Sequence, residues 1–319
     1  MTIKNVGFDG STLPIREFKL EDMADNPAIV IIAKRGSGKS WLCRKILKQY
    51  ASIPCGLIIA RTDRMNTFYG NFFPDSYIFY EYKTSILQKL IRRQEAMIEK
   101  RKIKVAQGKK LDTRAYIIMD DCMADKKAWI KEQPIQELFL NGRHYDLMYM
   151  LTMQAPLGIP PDLRKQFEYI FLFAEEFTNE LKKLYEHYAG MFPNITAFMQ
   201  VFKKVTEDFC CMVLVNTNRH KTDLRITGTF LDKIFWYKAD NVNIGNFGCD
   251  QFRMLHKKNY DNNWRINKKT LNLDEFCNQK KRDKETIAIS KLHDTDPNKP
   301  QSYQPYRRPN NTFEHNGRQ

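Results

Sequence analysis

The sequence lacks the features of an oxidised, secreted or membrane-spanning protein. Its seven cysteines form no CxxC pair, and their odd number favours a reducing compartment over a disulfide scaffold or a zinc site. The first residues, MTIKNVGFDGSTLPIREFKLEDM, contain no apolar signal core, and no apolar run approaches the ~18 residues that a membrane span needs. No histidine pattern typical of a metal centre is present. We therefore expect an intracellular, soluble protein.

Acidic residues are scarce relative to basic ones. The 319 residues include 52 Lys and Arg but 37 Asp and Glu, which gives a formal net charge of +15. Such an excess favours a polyanionic partner; the alternative is a basic, soluble surface without such a partner. Positive charge is concentrated in a predicted helical insert (84–110) and in a carboxyl-terminal tail (278–319), for which composition predicts disorder.

Short apolar runs alternate with helical patterns through most of the chain. Strands are predicted at 28–33, 55–60, 76–82, 115–120, 147–154, 169–174 and 208–216, with a further short one at IREFKL. Helices are predicted at 40–50, 84–106, 130–141 and 177–203. This alternation predicts an α/β fold with a mostly parallel sheet flanked by helices. The expected organisation is an irregular amino-terminal extension (1–27), a main domain (28–240), an appendage (241–277) and the tail.

A glycine-rich loop, AKRGSGKS, joins the first predicted buried strand to a helix. It fits the pattern G-x-x-x-x-G-K-[ST] except that Ala33 replaces the first glycine. Such loops turn backbone N–H groups toward phosphate oxygens, and the helix adds its positive amino end. The loop predicts ATP binding, with Lys39 at the β- and γ-phosphates and Ser40 at Mg²⁺. The nucleotide contacts predicted in full are Ala33, Lys34, Arg35, Gly36, Ser37, Gly38, Lys39, Ser40 and Trp41.

Two acids end the strand YIIMDDCM. We expect Asp120 to contact Mg²⁺ from a strand beside the loop strand, and Asp121 to orient or deprotonate the attacking water. Many ATPases with such a loop have glutamate at this second position, so the shorter side chain of Asp121 leaves the water position less defined. The alternative is that both acids cap a helix after the strand.

Polar residues near the next strand extend the candidate site. Gln154 ends that strand at the edge where ligands of parallel sheets collect, so it would sense the γ-phosphate or position water; the alternative is a capped strand end. Arg143 precedes the strand and Arg164 follows it. An arginine stabilises the charge of phosphoryl transfer, and in ring ATPases a neighbouring subunit often supplies it. Each arginine would also be explained by a surface ion pair.

Four stretches together resemble the genome-packaging ATPases of poxviruses, iridoviruses and mimiviruses, within the FtsK–HerA superfamily. They are AKRGSGKS, YGNFFPDSYIFYEY, YIIMDDCM and LFLNGRHYDLMYMLTMQAPLGIPPDLR. The resemblance covers residues 28–220 and is most specific in NGRHYDLMYMLTMQ. It implies a RecA-like fold, a homo-oligomeric ring and ATP-driven movement of double-stranded DNA into a capsid. It also implies catalytic roles for Lys39, Asp121 and Gln154, with Arg143 as the first candidate for the trans-acting arginine and Arg164 as the second.

The resemblance further implies sequence-independent contacts with DNA phosphates and a partner at the capsid vertex or on the internal membrane. It implies a location in the host cytoplasm, at the viral factory, or in the virion. Two other functions stay open: a P-loop kinase of a small molecule, and a nucleotide-gated scaffold that binds DNA or capsid with little turnover. DNA would leave the hydrolysis rate of a kinase unchanged, and a scaffold would work without Lys39.

Overall fold

One ten-stranded sheet runs through the part of the chain described by the computed structural model, which is residues 2–8, 11–217, 230–245 and 247–259. Its strands are β1 (Ile3–Phe8), β2 (Ser11–Glu17), β3 (Ala28–Ile32), β4 (Cys55–Ala60), β5 (Ile78–Phe79), β6 (Ala115–Asp120), β7 (Leu147–Met153), β8 (Tyr169–Phe173), β9 (Cys210–Val215) and β10 (Ile234–Lys238). The helices are α1 (Lys39–Gln49), α2 (Asp63–Asn66), α3 (Thr84–Ala106), α4 (Lys126–Trp129), α5 (Gln133–Asn141), α6 (Pro161–Arg164), α7 (Thr178–Tyr188), α8 (Ile195–Val205) and α9 (Asp250–Asn259).

The strand order is β1-β2-β10-β9-β8-β3-β7-β6-β4-β5. The six strands from β8 to β5 are parallel, whereas β9 is antiparallel to both of its neighbours. The expected α/β fold with a mostly parallel sheet is confirmed. Parallel strands bring all their carboxyl ends to one side of the sheet, here called the carboxyl edge, and their amino ends to the opposite amino edge.

The central strands are buried on both faces because their sequences are continuous apolar runs. Every residue of β3, β6 and β7 is buried, and Ile29, Val30 and Ile31 of β3 are fully inaccessible. Burial of each such aliphatic side chain contributes about 1.5–3 kcal/mol relative to exposure. The centre of the sheet is therefore rigid, and it fixes the positions of the loops at the ends of its strands.

Several elements differ from the sequence prediction. The region 1–27, expected to be an irregular extension, contributes the hairpin of β1 and β2, which joins the sheet where β2 pairs with β10. The strand expected at 76–82 shrinks to two residues. The helix expected over 177–203 is interrupted, because the Gly190–Asn194 stretch contains glycine and proline and separates α7 from α8.

The long helix α3 ends close to the amino edge. Arg101 donates to Thr113 Oγ1 at 2.9 Å and also bonds Asp146, and these two partners lie just before β6 and β7. A helix of 23 residues is about 34 Å long, whereas a six-residue strand spans about 20 Å. Residues 102–110 are all exposed, so the basic end of α3 extends past the sheet.

Two expectations lie outside the described residues. These are the disordered tail over 278–319 and all of the 241–277 appendage beyond α9. Within the described part of the chain, no helix combines the length and the apolar character needed to cross a bilayer.

Candidate active site

The glycine-rich loop lies between β3 and α1, at the carboxyl edge. Gly36 and Gly38 adopt φ values of 76° and 102°, in the left-handed region that favours glycine. Ser37 Oγ donates to the carbonyl of Lys34 at 2.7 Å and closes the turn. A Cβ atom at Gly38 would also lie 3.4 Å from the Phe173 ring. The loop therefore has the conformation and close packing of a phosphate cradle, and Ala33 in place of the usual first glycine does not prevent it.

Lys39 connects the loop to the two acids that end β6. Its ammonium nitrogen lies 3.1 Å from Asp120 Oδ1 and 2.8 Å from Asp121 Oδ2. Burial disfavours the charged form of Lys39, but the two carboxylates outweigh it, and the pKa of Lys39 is raised above its ordinary value. The structure thus brings together the cation and both acids that the sequence singled out.

The acid strand does not neighbour the loop strand, contrary to the sequence expectation. β7 lies between β3 and β6 and is hydrogen-bonded to both. Chain order did not indicate this insertion, because β7 follows β6 in the sequence. The carboxyl end of β7 consequently sits between the loop and the acids.

Thr152, near the end of β7, was missed by sequence reasoning. It is fully buried, and its hydroxyl donates to Asp120 Oδ1 while accepting the backbone N–H of Asp121 at 3.1 Å. Lys39 Nζ lies 3.4 Å from the hydroxyl oxygen of Thr152. The available signal was a polar residue within the apolar run LMYMLTM, two positions before Gln154 and hence on the same face of the strand.

A cavity of about 820 Å³ opens beside these groups. Its lining includes the loop, both acids and Gln154, together with the aromatic residues Trp41, Phe68, Tyr69 and Phe209 and two further residues, Lys238 and Ala239. Trp41 is 50% exposed and Phe209 is 68% exposed. Exposed aromatic rings beside a phosphate cradle suit the flat base of a nucleotide.

Tyr69 is a second residue that the sequence did not indicate. It lines the cavity although it is almost fully buried. Burial, followed by the negative charge of Asp120, raises the pKa of Tyr69 well above its ordinary value. The phenol therefore stays protonated, as a donor at the back of the cavity.

The side chains present fit a magnesium-bound nucleotide. Ser40 is exposed at the start of α1, and Asp120 supplies the oxygen ligand that Mg²⁺ prefers. Asp121 Oδ1 is buried without a hydrogen-bond partner, so the fold leaves one of its acceptor oxygens unused. Ser40 and Asp120 would hold the metal, and the loop would hold the phosphates.

The remaining loop residues have separate roles. Lys34 forms an ion pair with Glu175 at 2.5 Å, and its ammonium lies 4.4 Å from the centre of the Phe177 ring. Arg35 is exposed and lines the cavity, as does Lys34. The ion pair of Lys34 anchors the loop to the segment that follows β8.

The two candidate arginines lie apart from the loop. Arg143 is exposed in a short turn just before β7, which is at the amino edge, and it donates to His144 Nε2 at 3.3 Å. Arg164 is buried, and its Nε and Nη2 atoms donate to the carbonyl of Ile159 at 3.2 and 3.1 Å. Neither guanidinium is among the residues that line the cavity of its own chain.

Comparison with known proteins finds close relatives in large DNA viruses. An uncharacterized protein of Acanthamoeba polyphaga mimivirus, L437, is 49% identical over 247 residues, covering 77% of this chain and 84% of the relative. Protein 075L of Invertebrate iridescent virus 6 is 30% identical over 263 residues, covering 82% of this chain and 96% of the relative. The chain belongs to this family of mimivirus and iridovirus proteins.

No protein-family model matches this member of the viral family. Among solved structures, it is similar to the genome packaging NTPase B204 from Sulfolobus turreted icosahedral virus 2 in complex with AMPPCP. That similarity has a TM-score of 0.45 and 18% identity, and covers 68% of this chain and 100% of the other.

Proposed function

We propose that this chain hydrolyses ATP and uses the energy to package viral double-stranded DNA into the capsid, acting as a ring oligomer. The observation that carries the proposal is the contact of Lys39, from a glycine-rich loop, with Asp120 and Asp121 beside a cavity of nucleotide size. A cation from a phosphate cradle and two acids at one sheet edge are the components of phosphoryl transfer to water.

The residues divide the work by position. The backbone N–H groups of the loop and the amino end of α1 bind the phosphates, and Lys39 exchanges its carboxylate partners for β- and γ-phosphate oxygens. Bound Mg²⁺ would neutralise developing charge on those oxygens. Asp121 accepts a hydrogen bond from the attacking water through its unpartnered Oδ1 and orients it. Gln154, which lines the same cavity, is the candidate γ-phosphate sensor.

The distribution of charge supports a DNA partner. The net charge is +15, and the exposed end of α3 carries Lys102 and Lys104 beyond the amino edge. Contacts with phosphates alone suit a machine that moves DNA of any sequence. Membership of a family found in large DNA viruses supports genome packaging as the task, with a partner at the capsid vertex or internal membrane and a location at the viral factory or in the virion.

The position of Arg143 supports assembly into a ring. Its exposed guanidinium is at the edge opposite its own loop, so it would act on the nucleotide of a neighbouring copy. Arg164 is less suited to this role, because its guanidinium is buried and bonded to Ile159.

The deciding experiment measures ATP hydrolysis by the purified protein with and without long duplex DNA. We expect strong stimulation by DNA in the natural protein and a loss of about 100-fold or more in Asp121→Asn, with ATP binding retained. Asp162→Asn, which removes an exposed carboxylate on α6 away from the cavity, is the matched control and should behave as the natural protein.

Each other outcome points elsewhere. Hydrolysis that ignores DNA would favour a small-molecule kinase and overturn the translocase. A protein without turnover, whose Lys39→Ala variant still packages DNA, would instead be a nucleotide-gated scaffold.

A further inference from the structure

Thr152 lies where the three parts of the candidate site meet. Its strand, β7, is hydrogen-bonded to β3 on one side and to β6 on the other, and the Thr152 backbone is in register with Ile31 of β3. The loop follows β3 directly, and the two acids end β6. A side chain on β7 at this level can therefore contact both functional segments at once.

The hydroxyl of Thr152 uses its full hydrogen-bonding capacity. A threonine hydroxyl has one proton to donate and two lone pairs to accept with. Here the proton goes to Asp120 Oδ1, and the lone pairs face the Asp121 N–H at 3.1 Å and the Lys39 ammonium at 3.4 Å. Thr152 is completely buried, so water cannot substitute for any of these contacts.

The bond to the Asp121 N–H acts on an unusual backbone. Asp121 has φ 52° and ψ 33°, in the left-handed backbone region that residues other than glycine rarely adopt. This turn directs the Asp121 carboxylate back toward Lys39 rather than away from the sheet edge. The Asp121 N–H donates to a hydroxyl fixed on a buried strand, and this bond favours the left-handed conformation over an extended one.

We infer that Thr152 is a positioning residue that holds Asp120 and the Asp121 turn in register with the glycine-rich loop. When the Lys39 ammonium leaves the carboxylates to bind phosphate oxygens, Thr152 keeps its hydrogen bonds to Asp120 and Asp121. The metal ligand Asp120 and the water-orienting Asp121 therefore stay in place when the lysine moves. This inference rests on the proposed hydrolysis for its kinetic consequences, whereas its structural consequence stands independently.

The test compares Thr152→Val, which keeps the shape and removes the hydroxyl, with Thr152→Ser, which keeps the hydroxyl. Residues that orient a catalytic or metal-binding group typically cost about 10- to 100-fold in activity when removed. We expect kcat of Thr152→Val to fall within that range while its KM for ATP changes by less than about threefold, and Thr152→Ser to restore most of kcat.

The matched control is Thr113→Val at the amino edge. The buried Thr113 hydroxyl also donates to an aspartate, Asp146 Oδ2 at 2.5 Å, and also accepts from a cation, Arg101 at 2.9 Å. The Thr113→Val variant therefore loses the same kind of hydrogen-bond network, but far from the cavity. Its basal hydrolysis should equal that of the natural protein, even if its unfolding temperature falls.

A crystal structure of Thr152→Val supplies the readout that needs no turnover. We expect Asp121 to leave the left-handed region while β6 and β7 keep their pairing. A variant with unchanged kcat and an unchanged Asp121 turn would overturn the inference. If the natural protein itself shows no hydrolysis, the proposed function fails, and the Asp121 turn in the variant still decides the role of Thr152.

Discussion

Lys39 Nζ lies 2.8 Å from Asp121 Oδ2, so the cation of the glycine-rich loop is paired with the acid that would orient water. Both side chains are mostly buried, at 16% and 19% exposure, and Asp120 shares the same ammonium. Removal of Lys39 would leave two adjacent carboxylates without a counter-charge.

Lys39→Met should therefore destabilise the protein when no nucleotide is added. Breaking a buried ion pair from one side costs about 3 kcal/mol, because the remaining charge is uncompensated. The double variant Lys39→Met/Asp121→Asn should be more stable than the sum of the two single changes implies. Urea unfolding gives the free energy of unfolding of the natural protein, the two single variants and the double variant. Strict additivity of the two changes in this free energy would show that the ion pair contributes nothing.

The same pair predicts how this stabilisation depends on pH. The pKa of Lys39 is raised in the folded state, so its contribution is complete below the ordinary value of 10.5 and is lost as pH rises through the folded value. The difference in stability between the natural protein and Lys39→Met should hence persist undiminished up to pH 9, as urea unfolding at pH 8 and 9 would verify.

Trp41 should report nucleotide binding. It lines the cavity at 50% exposure, whereas Trp129 is fully buried and Trp236 is 7% exposed. In a Trp264→Phe background, which removes the tryptophan outside the described residues, we expect ADP to change the tryptophan fluorescence, and not when Trp41→Phe is added, which should still bind ADP. Trp41→Ala should bind more weakly by about 1–3 kcal/mol, because stacking is lost. An equal signal in Trp41→Phe would show that the base does not contact Trp41.

Arg143 and Arg164 should behave differently when changed to alanine. Arg164→Ala loses two bonds to Ile159 and a contact with the Tyr188 ring, so its unfolding temperature should fall. Arg143→Ala, at an exposed position, should unfold as the natural protein does but lose DNA-stimulated hydrolysis. Mixing Arg143→Ala with Asp121→Asn should restore part of that activity, since each supplies what the other lacks. Full DNA-stimulated hydrolysis by Arg143→Ala alone would exclude Arg143 as the trans-acting residue.

The end of α3 should contribute to DNA binding through charge alone. Arg93 and Arg101 are poor choices for the test, since they bond Gln94 and Thr113 within the fold. Lys100, Lys104, Lys109 and Lys110 are exposed, and changing them together to glutamine should reduce the salt dependence of DNA binding by about 0.9 in slope per lost phosphate contact. Changing Lys182 and Lys203 on α7 and α8 is the control. Equal slopes in both variants would mean that DNA binds elsewhere.

The cysteines should differ sharply in reactivity. Burial raises the pKa of the Cys55 thiol to about 11 and also raises the pKa of the Cys43 and Cys211 thiols, so all three stay protonated at pH 8. Cys249 is exposed. In a Cys277→Ser background, which removes the thiol outside the described residues, a thiol reagent at pH 8 should modify Cys249 rapidly and the five buried cysteines only after unfolding. Rapid modification of Cys43 in the native protein would show that the buried face of α1 becomes accessible without unfolding.

The parts of the site that follow one another in the chain could be predicted from the sequence. The run AIVII, the glycine-rich loop and α1 are continuous, so periodicity and motif defined them together. Asp120 and Asp121 end an apolar strand, and the parallel sheet brings Gln154 to the cavity they share.

Long-range pairing could not be predicted in the same way. The insertion of β7 between β3 and β6, and the pairing of β2 with β10, join segments that are distant in the chain, and nothing local specifies them. Thr152 and Tyr69 were missed for this reason, because each acquires its role only from neighbours supplied by other strands and loops.

The separation of the loop from the Arg143 turn has a mechanical consequence. They lie at opposite edges of strands that are five to seven residues long and buried on both faces, so the material between them is a stiff plate about 20 Å high. A sheet this rigid rotates as one body and does not bend. A tilt of about 10° at the loop would sweep the far edge through roughly 3.5 Å, close to the rise of one base pair. In the translocase that we propose, the height of the sheet would relate the tilt produced by one hydrolysis event to the length of DNA moved.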